Sequence, residues 1–222
     1  MKGQYWAILL LSVVMLSGCA GRALTVNESA FLGTVHKLGV DYKKVKIHKS
    51  LAGSEAKLDK MFGGEKSVMV NGQALGREEV DRIVAGMPEA FVLYNDIYYQ
   101  KDSYSNDFIP EWPDYVRIDY AALLAHEVTH VWQHQHKDLT GYSPLKALLE
   151  HQRYDNPYAY KLEDGKRFLQ YRYEQQGKMV QDFVWLELTH QRTDTYYKLK
   201  ALIDEVFPIQ SVFQFISSQR GE

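Results

Sequence analysis

Cysteine is almost absent from this sequence, since Cys19 is the only one among 222 residues. A disulfide within the chain is therefore excluded, and so is a zinc site built mainly from cysteines. Neither sign of charge is in excess, with 26 basic and 28 acidic residues, so we expect no nucleic-acid partner. Internal repeats, low-complexity tracts, a G-x-S-x-G nucleophile motif and a phosphate-binding loop are also missing.

The one long apolar run lies at the N-terminus and has the features of an export signal. Lys2 precedes an apolar run at 5–16, which is too short for a membrane span but suits a signal peptide. The run ends in L-S-G-C at 16–19, which resembles the lipobox of bacterial lipoproteins. We therefore expect a signal peptide at 1–18, a lipid on Cys19, and an exported lipoprotein in the outer membrane facing the periplasm. An uncleaved N-terminal anchor is the alternative.

The remainder of the chain predicts an α+β fold. Residues 19–36 favour a tether and 37–222 a single domain, with a strand at 40–47 and a strand or short hairpin at 90–99. The polar segment 103–113 predicts a loop. Helical periodicity or composition predicts helices at 54–61, 77–87, 120–136, 144–151, 168–188 and 193–207. A small β-rich front half followed by a helical back half is typical of α+β proteins.

The most informative motif is LLAHEVTH at 123–130. Residues four apart on a helix lie on one face, so His126 and His130 can share one metal ion. Glu127 lies between them and can take a proton from a water molecule that the metal activates. Neither proline nor glycine interrupts 120–136, and Asp119 is a suitable N-cap. A surface helix with ordinary histidines is the alternative.

Two histidines do not complete a catalytic zinc site, which usually takes three protein ligands. His136 would give the metzincin spacing H-E-x-x-H-x-x-G-x-x-H, but Gln133 replaces the glycine that turns the backbone. A continuing helix would place His136 about 80° from His126 and too far along the axis. His136 is then a residue close to the site rather than a ligand. Glu174, on a later predicted helix, is the second candidate for the third ligand.

Two segments together resemble a bacterial family of zinc metallopeptidase-like proteins. LAHEVTHVWQ at 124–133 and EQQ at 174–176 match its pattern, and VKIH at 45–48 and AFVLYNDIYY at 90–99 agree with its upstream strands. The family includes contractile-injection-system core domains and Vgr-related proteins. The resemblance covers roughly residues 45–182 and implies a zincin-like fold of the gluzincin kind.

The resemblance implies that zinc is held by His126, His130 and Glu174. Gly177 departs from the family, which often continues E-Q-Q-A; a glycine within a helix costs about 1 kcal/mol and predicts close packing against the motif helix. Asp182, eight residues beyond Glu174, could orient a histidine from outside the ligand set, or be a solvated charge.

These residues predict a zinc-dependent hydrolase of the cell envelope. Glu127 is the expected general base, and a peptide or related amide bond in an envelope protein or peptide is the expected substrate. The lipid on Cys19 is the expected membrane contact. A non-catalytic zinc-binding or assembly protein of the envelope or of a secretion system is the main alternative. A structural zinc protein is the weaker one, because such sites favour cysteine.

Overall fold

A four-stranded sheet and a two-stranded hairpin form the β-structure of residues 21–51, 53–87 and 89–207, which the computed structural model describes. The expected signal peptide 1–18 and Cys19 lie outside the described residues. The strands are β1 (Arg22–Ala23), β2 (Lys46–His48), β3 (Ser67–Val70), β4 (Gln73–Gly76), β5 (Ala90–Leu93) and β6 (Asp96–Tyr99). The larger sheet has the order β1-β2-β6-β5, with only β2 and β6 parallel, and β3 pairs with β4.

The helices pack around this sheet and dominate the C-terminal half. They are α1 (Val26–Val35), α2 (Glu55–Phe62), α3 (Arg77–Ala85), α4 (Ile118–Gln135), α5 (Lys137–Thr140), α6 (Pro144–Arg153), α7 (Tyr173–Leu188) and α8 (Asp194–Ile203). Helix α4 packs most extensively against α7 and also against β5. This arrangement confirms the predicted α+β class with a helical C-terminal part. In the described part of the chain no helix combines the length and apolarity that a bilayer crossing requires.

The β5–β6 hairpin lies between two hydrophobic clusters and packs beside α4. Side chains alternate along a strand. Ala90 and Val92 therefore face the main core with α4, whereas Phe91 and Leu93 face a second cluster with α2, α3 and α6. The hairpin turn passes through Tyr94, whose φ of +63° is left-handed. The short hairpin that the sequence predicted at 90–99 is thus present.

Most side chains of helix α4 are buried. Its apolar residues Leu124, Ala125, Val128 and Val131 are completely inaccessible to solvent. Its N-cap is Arg117 rather than the expected Asp119. Asp119 lies in the first turn of the helix, where its negative charge interacts favourably with the helix dipole. The helix continues past Gln133 to Gln135, as expected because Gln133 replaces the glycine that would turn the backbone.

Residues 19–36 are not a tether in their described part. Thr25 and Glu28 form a capping box that starts α1: the Glu28 amide donates to Thr25 Oγ1 at 3.1 Å, and the Thr25 amide donates to Glu28 Oε2 at 2.8 Å. Phe31 and Leu32 are fully buried in the main core. Their apolar surface, together with the cap, makes this segment part of the folded unit.

Two further boundaries differ from the sequence prediction. The expected strand 40–47 is instead a 3₁₀ turn, Tyr42–Lys44, followed by the three residues of β2. The expected helix 168–188 begins at Tyr173, after a separate 3₁₀ turn at Phe168–Gln170. This later start puts Glu174 in the first turn of α7.

Candidate metal centre

His126 and His130 lie one turn apart on α4 and point the same way. Both are 4 % exposed, and their Nε2 atoms are 3.1 Å apart. The 3.6-residue helical period produces this pairing. The surrounding apolar residues of α4 hold the helix, and therefore both rings, in the protein interior.

Glu174 brings a carboxylate to the same point from α7. Its Oε2 lies 3.4 Å from His126 Nε2 and 3.2 Å from His130 Nε2, and the residue is 5 % exposed. In the described part of the chain these three residues are the group of potential ligands that could hold a metal ion. The sequence-based prediction of Glu174, 44 residues beyond His130, therefore corresponds to a real spatial cluster.

The dimensions of this cluster fit one metal ion. Tetrahedral zinc with bonds of about 2.0–2.1 Å requires ligand atoms about 3.3–3.4 Å apart. The three observed separations, 3.1, 3.2 and 3.4 Å, are close to that value. Two imidazoles and one carboxylate are also a usual donor set for catalytic zinc.

The electrostatics of the cluster favour bound positive charge. Burial alone would raise the pKa of Glu174, but the charge of His130 and hydrogen bonds from His126 and His130 hold that pKa well below its usual range. Burial lowers the pKa of His130, yet Glu174 outweighs it and raises the pKa to about 9. A buried carboxylate of this kind is stabilised by a proton on its neighbour or by a cation between them.

Each histidine is oriented through its other ring nitrogen by a glutamine. His130 Nδ1 lies 2.8 Å from Gln133 Oε1, and His126 Nδ1 lies 3.2 Å from Gln181 Oε1. Metal binding requires neutral imidazoles; in that state Nδ1–H donates to these amide oxygens, and Nε2 presents a lone pair to the cation in place of a hydrogen bond to Glu174. Neither glutamine was predicted to orient a histidine, although Gln133 is part of the motif segment.

Asp182 and His136 are the two residues that the sequence predicts to support the ligands, and the structure shows which groups they contact. Asp182 accepts a hydrogen bond from the Tyr160 hydroxyl at 2.8 Å and pairs with Lys178, because one residue of helix turns it about 100° from Gln181. His136 caps the end of α4, and its Nδ1 lies 3.1 Å from the Trp132 carbonyl oxygen. Both residues therefore contact groups outside the cluster.

Glu127 borders the cleft that leads to the cluster. It is 4 % exposed and lines a cavity of about 20 Å³ together with His126, His130 and Glu174. This volume is enough for about one water molecule. Burial raises the pKa of Glu127 to about 8, with Glu174 and Glu89 adding to the effect and His130 opposing it. The group is thus a stronger base than an ordinary carboxylate.

The cleft continues on the α7 side of the cluster. A second cavity of about 120 Å³ is lined by Glu127, Tyr158, Lys178 and Gln181 among others. Tyr158 borders both cavities, and its ring centroid lies 5.8 Å from that of His126 and 5.5 Å from that of His151. Neither Tyr158 nor His151 was predicted to lie at the site, since both come from segments far from the motif.

Comparison with known proteins finds a short sequence match to a protein of a secretion system. No model of a known protein family matches the chain. The type VI secretion system spike protein VgrG2b of Pseudomonas aeruginosa strain PAO1 is 45 % identical over 65 residues, which is 28 % of this chain and 6 % of the spike protein. The chain therefore spans only a small part of that relative's length.

A solved structure shows the same fold over most of the chain. The effector domain of Pseudomonas aeruginosa VgrG2b superposes with a TM-score of 0.51 and 24 % sequence identity. The match covers 82 % of this chain and 81 % of that domain. The chain is thus similar in fold to a secretion effector domain and similar in sequence to part of the spike protein.

Proposed function

We propose that this chain is a zinc-dependent hydrolase with a zincin-like arrangement, related to secretion effector domains. The observation that carries the proposal is the triangle formed by His126 Nε2, His130 Nε2 and Glu174 Oε2, with sides of 3.1–3.4 Å. Three protein ligands leave a fourth position free for water or substrate, which is the pattern of catalytic rather than structural zinc.

In the proposed mechanism each residue has one task. His126, His130 and Glu174 would hold a zinc ion, whose Lewis acidity would lower the pKa of water and polarise a carbonyl oxygen. Glu127, adjoining the one-water cavity, accepts the proton of the attacking water and later passes it to the leaving amine. Gln133 and Gln181 keep both imidazoles in the orientation that the reaction requires.

The proposed substrate is a peptide or related amide bond in the cell envelope. The proposed location rests on the sequence alone: a signal peptide at 1–18, a lipid on Cys19, and an outer-membrane lipoprotein facing the periplasm. Replacement of Cys19 by Ser is expected to abolish incorporation of labelled palmitate in cells. Palmitate incorporation that persists in this variant would contradict the proposed anchor.

The second candidate is a secretion-system-associated binding or assembly protein that holds a metal without catalysis. The sequence similarity to the VgrG2b spike protein favours it directly, because that similarity concerns a secretion component and carries no information about catalysis. The buried Glu127 beside the cluster favours the hydrolase, since a binding protein gains nothing from a buried carboxyl group that costs free energy to ionise.

One substitution separates the two candidates. Glu127→Gln preserves the shape of the side chain but removes the base, so the variant is expected to keep one bound zinc and lose at least about 10²-fold in hydrolysis of a peptide library. Glu65→Gln, at an exposed position before β3, is the matched control and should hydrolyse at the rate of the unmodified protein. Equal hydrolysis by Glu127→Gln would contradict the proposed mechanism, and zinc binding without any hydrolysis by the unmodified protein would favour the binding protein.

A further inference from the structure

The end of helix α6 contacts Glu174 through two consecutive residues. Glu150 accepts hydrogen bonds from the backbone amides of Tyr173 and Glu174, each at 3.0 Å. His151 Nε2 lies 3.1 Å from Glu174 Oε1. One residue thus binds the backbone of Glu174, and the next residue binds its carboxylate.

The contact from Glu150 fixes where helix α7 begins. The first amides of a helix have no partner within the helix. Two of them, at Tyr173 and Glu174, are satisfied by the two oxygens of the Glu150 carboxylate, which is 8 % exposed. A negative charge at this end also interacts favourably with the helix dipole. Glu150 therefore sets the position of the Glu174 main chain relative to α6.

The contact from His151 fixes the orientation of the Glu174 carboxylate. The last torsion of a glutamate is broad, so an unsupported carboxylate rotates easily. Oε2 faces the two histidines of α4, whereas Oε1 is the atom in contact with His151. The His151 side chain is 15 % exposed and packs edge-to-face against Tyr158. Its position is therefore restricted as well.

His151 supports the cluster without belonging to it. Among residues 21–51, 53–87 and 89–207, the three whose ligand atoms all lie within 4.8 Å of one another are His126, His130 and Glu174. His151 contacts Oε1 of Glu174, whereas the contacts with His126 and His130 are made by Oε2. His151 is therefore not one of the three candidate ligands found in the described part of the chain.

We infer that Glu150 and His151 are positioning residues that present a single oxygen of Glu174 to the metal. The inference rests on the proposed metal site. It means that residues of α6, which supplies no candidate ligand, affect the affinity for the metal. Supporting residues of this kind typically change metal affinity by about 10–100-fold when removed.

The test compares variants at position 151 that do and do not retain a hydrogen-bond donor. His151→Phe keeps an aromatic ring without the donor, and it is expected to weaken zinc binding about 10–100-fold in competition with a chromophoric chelator. It should also change the visible absorption spectrum of the cobalt-substituted protein. His151→Gln can still donate to Oε1, and it should recover most of the affinity and the original cobalt spectrum.

Three further variants keep the test decisive. His151→Asn replaces His151→Phe if the latter does not fold, since its shorter side chain does not span the distance to Oε1. His134→Phe is the matched control, because His134 lies on α4 with its ring against Tyr94, and this variant should leave zinc affinity unchanged. Glu150→Ala should weaken zinc binding by removing the cap of α7.

The outcomes distinguish this inference from the proposed function. His151→Phe with the zinc affinity and cobalt spectrum of the unmodified protein would overturn the inference. An unmodified protein that binds zinc but hydrolyses nothing contradicts the proposed catalysis only, because the affinity comparison still decides the role of His151. An unmodified protein that binds no zinc contradicts both.

Discussion

Gly177 on α7 and His126 on α4 are in direct contact, and there is no room for a side chain between them. A Cβ atom at Gly177 would lie 2.9 Å from both Cε1 and Nε2 of the His126 ring. That ring is held by Gln181 and lies between α4 and α7, so it has little freedom to move. The glycine that departs from the family pattern is therefore explained by the close approach of the two helices.

Replacement of Gly177 by alanine is expected to reduce metal affinity by at least about 10-fold, because the added methyl group displaces a ligand ring. Helix propensity alone would favour alanine by about 1 kcal/mol, so the variant separates the two effects. Zinc affinity measured by chelator competition is the readout.

Gly33→Ala is the control for this change. Gly33 lies in α1, and a Cβ there would meet no atom within 4 Å. This variant should gain up to about 1 kcal/mol in stability and keep its zinc affinity. Normal affinity in Gly177→Ala would show that the His126 ring adjusts freely.

Gln181, rather than Asp182, is expected to affect metal binding. Gln181→Leu removes the hydrogen bond to His126 Nδ1 and should weaken zinc binding about 10–100-fold. Asp182→Asn changes only the contacts with Tyr160 and Lys178 and should bind zinc as the unmodified protein does. The reverse order of affinities would restore the role that the sequence suggested for Asp182.

Helix α1 is expected to contribute to stability, which a tether would not do. Phe31 is fully buried, so Phe31→Ala should lower the free energy of unfolding by about 3–5 kcal/mol in urea denaturation. Val26, on the same helix, is 86 % exposed. Val26→Ala should therefore change the free energy of unfolding by no more than about 0.5 kcal/mol. Similar small effects at both positions would support a tether.

The motif residues could be predicted from the sequence because helical geometry relates them locally. His126, Glu127 and His130 lie within five residues, and the 3.6-residue period decides their arrangement. The prediction of Glu174 depended on resemblance to a family, since no local rule connects α4 with α7. The α+β class followed from the order of strand-like and helical segments.

The supporting residues could not be predicted because their contacts are not local. Gln181 and His126 are hydrogen-bonded but 55 residues apart in the sequence, and Glu150 and Tyr173, at the start of α7, are 23 residues apart. Their partners depend on how the helices are rotated and docked, which periodicity does not specify. The capping box formed by Thr25 and Glu28, in contrast, was a local signal that identifies the start of α1.

His36 is expected to make stability depend on pH. It is buried, its Nε2 lies 3.0 Å from Thr129 Oγ1, and its Nδ1 has no hydrogen-bond partner in the described part of the protein. Burial lowers the pKa of His36 from 6.5 to about 3. Between these values the unfolded chain binds the proton and the folded chain does not, so stability falls as pH decreases through this window, by about 1.4 kcal/mol per unit from this residue.

His36→Gln removes this titration and keeps a donor for Thr129. Urea unfolding of both proteins at pH 7, 6 and 5 with chelator present is expected to show the steeper loss of stability for the unmodified protein. Parallel pH profiles would mean that His36 is protonated in the folded protein.

Anomalous diffraction at the zinc edge, from crystals grown with zinc, shows whether His126, His130 and Glu174 hold one divalent metal ion. We expect one strong anomalous peak, about 2.0–2.2 Å from both histidine Nε2 atoms and from Glu174 Oε2. A zinc peak elsewhere, or none between these three side chains, would contradict it.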